Sequence, residues 1–149
     1  MYIKMIEKKL EKLKADTQAQ FGIMTPQHMV EHLTVTIKIS YNRIKIPEFE
    51  LSEKQKFQKT ALLDTSIEFP QGVKAPGMNV GELMALRSSN LKEAKEQLLA
   101  SLTDYNTFFE MDPTATTIHP RFSKLNYAEW ERFHPKHFKH HFKQFGIWE

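Results

Sequence analysis

The sequence predicts an all-α fold, and three observations predict it. Glycine is scarce, with five in 149 residues. Lys, Glu, Leu, Gln, Met and Ala, all good helix formers, are frequent. β-Branched residues are nowhere gathered into alternating runs. The length suits one domain, 1–149, with a core that needs no staples. Apolar residues at 40% and charged residues at 26% give the mix of an ordinary globular protein, not a disordered one.

The elements follow in order. Residues 2–16 carry Ile3, Ile6, Leu10 and Leu13 at helical spacing among lysines and glutamates, a surface helix packing one stripe. Phe21-Gly22 breaks it. Thr25 then offers a cap and Pro26 suits a first helical turn, opening a helix through MTPQHMVEHLTVTIKISYN. Gln27, Glu31, Lys38 and Asn42 fall on one narrow arc, and Val30, Leu33, Val35, Ile37 and Ile39 cover the rest, so this helix is buried. His32 lies in the apolar arc. Residues 52–63 predict a shorter helix, followed by a long connection, EFPQGVKAPGMNVGEL, of crossover or functional type. Residues 90–110 predict a strong helix capped by Asn90. The segment DPTATTIHPRFSKL reads as a second long loop. Asn126 and Glu129 make a capping-box start for the last helix, which Gly146 ends. Pro135 interrupts it and predicts a kink or a late start rather than loss of the helix. Four main helices, an additional N-terminal helix and long crossover loops imply a four-helix bundle.

Several function classes are excluded. There is no cysteine, hence no disulfide framework, thiolate site or cysteine nucleophile, and any metal must use nitrogen and oxygen ligands. The formal charge of +3 is mild. Its basic residues are interleaved with acids as on a solvated helix face, so nucleic acid is not an expected partner. The N-terminus is too charged for a secretory signal and no apolar run reaches membrane-spanning length, so no membrane partner is expected and the cytoplasm is the default location. The charged first helix and the aromatic end FGIWE make a homodimer an expectation.

Chemistry concentrates in the histidines. Four of seven fall in FHPKHFKHH. His137 and His141, at i and i+4, stack on one helical face and can converge on one ion. His134 lies one turn earlier on nearly the same face, while His140 points toward solvent. Trp130 and Phe145 extend the stripe, so it looks inward. A second i, i+4 pair, His28/His32, leaves the third ligand ambiguous; His32 is favoured because it lies deeper and in the apolar arc. The same residues suit hydrogen-bonded core histidines, and the spacing alone does not choose between the two readings.

Two segments resemble the DinB-like metalloenzyme superfamily. MTPQHMVEHL is similar to the family's early helix, in which a histidine before leucine is the first ligand, here His32. HFKHHFKQ resembles its later pattern, placing the other ligands at His137 and His141 and a glutamine at Gln144. More narrowly, HPRFSKLNYAEWERFHPKHFKHHFKQFG resembles a branch defined only as a domain of unknown function, with its HP-x-F loop at His119 to Phe122. The middle of the chain matches only in length and helical character. The usual Arg-Gly before the glutamine is Phe142-Lys143 here.

The resemblance implies a bundle with a divalent ion near one end, zinc first, with nickel, manganese or iron as alternatives. It implies a metal-dependent hydrolase or thiol-dependent transferase, with a small-molecule substrate or a low-molecular-weight thiol. Gln144 and His134 are the catalytic candidates: Gln144 hydrogen-bonding a ligand or the nucleophile, His134, like His28, supporting the ligands or moving a proton, with polar surface as the plainer reading of both histidines. Glu31 faces the polar arc. Glu82 and Asp64 reach the site only if the long loop folds over it. A non-catalytic metal- or ligand-binding module in stress response is the alternative.

Overall fold

The computed structural model describes residues 2–70 and 83–149. Five helices dominate: α1 Ile3–Leu10, α2 Pro26–Ser40, α3 Glu53–Asp64, α4 Leu91–Met111 and α5 Tyr127–Gln144. Each of the last four starts on a side chain that accepts an otherwise orphaned helical N–H: Thr25, Ser52, Asn90 and Asn126. Ser52 with Gln55 and Asn126 with Glu129 form reciprocal capping boxes. Pro135 sits inside α5 without ending it. Gly146, at φ 70°, takes the left-handed conformation past its end.

Two expectations are corrected. The N-terminal helix stops at Leu10 rather than running to Asp16. The Leu13 amide bonds the Leu10 carbonyl in a tighter turn, and the Lys14 amide donates to Thr17 Oγ1, which turns the chain while Leu13 enters the core. The second long loop is not a loop throughout, so the fold is mostly rather than wholly helical. Strands β1 Thr116–His119 and β2 Ser123–Asn126 pair antiparallel, Thr117 opposite Leu125. Its alternation of inward Thr117, His119, Ser123 and Leu125 with outward neighbours is that of a half-buried hairpin. Pro120 suits the turn, where His119 Nδ1 accepts from the Arg121 and Phe122 amides.

The core runs between α2, α4 and α5, with Leu33, Ile37, Leu98, Leu102, Trp130 and Phe138 fully buried. α2 packs along α4, and both α2 and α3 contact α5. A buried polar chain fastens the hairpin to the helices: Trp130 Nε1 donates to Thr117 Oγ1 at 2.7 Å, and that hydroxyl donates to the Ser40 carbonyl at 2.9 Å. The charged first helix and the aromatic end meet each other. Lys9 donates to the Trp148 carbonyl and lies 4.5 Å from its ring centroid, while Lys12 donates to the Glu149 carbonyl. Among the described residues no helix is long and apolar enough to cross a membrane.

Candidate metal centre

α2 and α5 present three histidines to one point. His137 and His141, one turn apart on α5, have ring centroids 4.9 Å apart. The His32 ring, brought across by α2, lies 4.9 Å from one and 4.8 Å from the other. His32 Nε2 is 2.9 Å from His137 Nε2, and one nitrogen from each of the three rings falls within 4.8 Å of the others. Of the two candidates for the third position, His32 converges. His28 sits at the start of α2 with Nδ1 2.6 Å from Thr25 Oγ1.

The donor chemistry fits a divalent ion. Burial holds the His32 imidazole down to about 4 and that of His141 to about 3, and it pushes His137 well below its ordinary value. Neighbouring imidazoles add to the lowering in each case. All three are therefore neutral and offer lone pairs near pH 7. Two facing lone pairs repel unless a proton or cation lies between them. Tetrahedral zinc with bonds of about 2.0 Å sets its nitrogens about 3.3 Å apart, against 2.9 Å between His32 Nε2 and His137 Nε2 and separations within 4.8 Å for the set of three.

Gln144 determines the tautomer of His141. Its Nε2 donates to the Phe21 carbonyl at 2.9 Å, which leaves Oε1 to accept from His141 Nδ1–H at 2.8 Å. The His141 Nε2 lone pair is thus free for an ion, the usual arrangement by which an outer partner orients a histidine ligand. The loop that supplies the Phe21 carbonyl is fitted to this amide. Gly22 has φ +78°, and a Cβ there would lie 2.7 Å from Gln144 Nε2. The Gln20 amide also donates to the Gln144 carbonyl at 2.7 Å. The sequence reading placed Gln144 beside a ligand or nucleophile; the partner it meets here is His141, one of the three clustered histidines.

Other candidates fall elsewhere. His134 is fully buried, not polar surface. Its ring stacks on Trp130 at 5.0 Å, and Nε2 lies 3.0 Å from Ser40 Oγ. The Ser40 hydroxyl donates to the Ile37 carbonyl, so its oxygen accepts from His134, and among the described residues His134 Nδ1 has no hydrogen-bond partner. His140 is only partly solvent-facing. It is partly buried between Phe21 and Phe69, at centroid distances of 5.4 and 5.7 Å. Glu31 accepts from the Arg87 and Ser88 amides at 2.7 and 3.2 Å, tying down the chain that enters α4. Asp64 pairs with Arg132 at 3.5 Å. Glu82 and most of the connection that carries it lie outside the described residues.

Residues that the sequence reading missed are Phe21, Phe69 and Ser40. Phe69 places its ring 5.5 Å from His137. None carries a local signal, because each acts through a neighbour remote in sequence. No protein-family model matches this chain, and neither a curated protein nor a solved structure matches it.

Proposed function

We propose that the protein is a metal-dependent enzyme of the DinB-like kind, a single four-helix-bundle domain of α2 to α5 with α1 added, acting as a hydrolase or thiol-dependent transferase. The observation that carries this reading is the convergence of His32, His137 and His141 from two helices, with the His141 tautomer held by Gln144. These three side chains hold the ion, zinc by its preference for neutral imidazoles. When bound, such an ion lowers the pKa of water or of a thiol and so supplies a nucleophile near neutral pH. Gln144 acts by positioning His141. His134, bonded to Ser40 within the core, supports the packing of α5 on α2.

One observation favours a non-catalytic metal- or ligand-binding protein instead. Glu31, next to a ligand in sequence, is occupied by the backbone amides of Arg87 and Ser88 and is not poised as a general base. Elemental analysis of untagged protein comes first, with His32→Ala and His137→Ala/His141→Ala beside it. About one metal per chain, lost in the folded variants, is expected from a three-histidine site. Well-folded wild-type protein that takes up no zinc, nickel, manganese or iron overturns the reading. Hydrolysis of simple esters or thiol conjugation by the loaded protein, absent in His141→Ala, separates an enzyme from a binding module.

A further inference from the structure

Beside the histidine cluster lies a cavity of about 180 Å³, walled by Phe21, Phe69 and His140 and rimmed by Lys136, Lys139, Lys143 and Glu68. One layer of rings separates it from the candidate ligands. Phe69 lies 5.5 Å from the His137 ring, and His140 lies 4.9 Å from the His141 ring. It adjoins a wider cavity of about 550 Å³ that shares Phe21 and Lys143 and reaches Trp148 and the acidic Glu149.

Among the described residues the charge on the rim is unbalanced. Lys136 is committed to structure: its Nζ donates to the carbonyls of Leu62, Thr65 and Ile67, closing the end of α3. Lys139 and Lys143, one turn apart, share the Glu68 carboxylate at 2.5 and 3.5 Å. The hydrogen bond from Lys139 holds the Glu68 carboxyl below its ordinary value, so it is ionised. Two ammonium groups facing one carboxylate leave positive charge at the mouth of an aromatic-walled cavity. An inorganic anion would satisfy the lysines and leave the rings wet, and a neutral aromatic would do the reverse.

We propose that this cavity binds a small organic carboxylate with an apolar body, the charge on Lys139 and Lys143 in place of Glu68 and the body against Phe21 and Phe69. Glu68 is then an internal competitor that occupies the lysines in the free protein. As a subsite for a substrate, the cavity rests on the metal-centre reading above; as a binding site it does not.

The test is calorimetric titration of phenylacetate into the zinc-supplemented full-length protein, with phenylacetamide and inorganic phosphate as comparisons. Saturable binding of phenylacetate is expected, weakened roughly ten-fold or more in Lys139→Gln/Lys143→Gln, the scale of a lost charge-assisted hydrogen bond. Glu68→Gln should tighten it several-fold. Phenylacetamide and phosphate should each bind roughly ten-fold more weakly or worse. No phenylacetate binding at millimolar concentration, equal binding of either comparison, or indifference to the lysine and glutamate variants overturns the proposal. Metal content is measured on the same samples. A protein that takes up no metal yet binds phenylacetate through these lysines sinks the metal centre and leaves the cavity standing. Metal uptake without such binding sinks the cavity alone.

Discussion

Gln144 shows how much one amide can decide. The Phe21 carbonyl fixes its orientation, its oxygen takes the His141 Nδ1 proton, and the opposite nitrogen of that ring is left bare. Outer partners of this kind are worth about 10–100-fold in metal affinity. Gln144→Ala should therefore weaken zinc binding by that factor in competition with a chelating dye, while the far-UV spectrum stays unchanged. Gln144→Glu keeps an acceptor for His141 but sets a carboxylate oxygen against the Phe21 carbonyl, so it should recover only part of the loss. Equal affinity in Gln144→Ala would show that His141 needs no outer partner. That a glutamine stands one turn after the second histidine was legible in the sequence. Which nitrogen it serves was not, because the answer depends on a carbonyl 123 residues away in the chain.

At the scale of elements, α5 carries both histidines of the HxxxH pair and must hold them in register despite Pro135. The proline removes one amide from the ladder, so the helix depends more on its start. There the Asn126–Glu129 box satisfies two orphan amides, and Glu129 also pairs with Lys59 at 3.3 Å, linking α5 to α3. Asn126→Ala should lower unfolding free energy by about 1 kcal/mol in urea. Asn126→Asp, which caps equally well, should leave it near wild type. A loss in both would mean that packing at this position, not capping, matters. The box could be seen in the sequence because capping is local, with partners three residues apart. The hairpin before it could not be seen as readily. Its strands are four residues each, and their stability comes from Thr117, His119 and Leu125 meeting the core.

Over the whole molecule, folding takes several histidines out of water. His119 is pushed from an ordinary value of 6.5 down to about 3 by burial, and His134 falls well below 6.5 for the same reason. Neither is in the ligand cluster. Above pH about 6.5 these residues are neutral whether the chain is folded or not, and they add no pH dependence. Below it the unfolded chain takes up protons that the folded chain refuses, so stability falls toward pH 3 by about 1.4 kcal/mol per pH unit for each such histidine. Urea midpoints without added metal should be level between pH 8 and 7 and drop steeply between 6 and 4 on this account. His119→Phe should flatten that slope. A midpoint constant down to pH 4 would contradict the burial of these rings. Zinc should act in the opposite sense. At about 100 times its dissociation constant it should add about 2.7 kcal/mol, an effect absent in His141→Ala.

The sequence by itself determined the helical character, the N-caps Thr25, Asn90 and Asn126 and the pairing of His137 with His141, because each rests on spacing within a single element. Tertiary structure decided the rest. It carried His32, which the apolar arc already favoured over His28, across to His137 and His141, since only the packing of α2 against α5 brings the rings together. It drew His134 into a bond with Ser40, drew His140 between two phenylalanines, and set Glu68 between two lysines. A periodic pattern tells which side of a helix is apolar. What faces that side depends on how the chain returns to it, and this is settled by the packing of segments far apart in sequence.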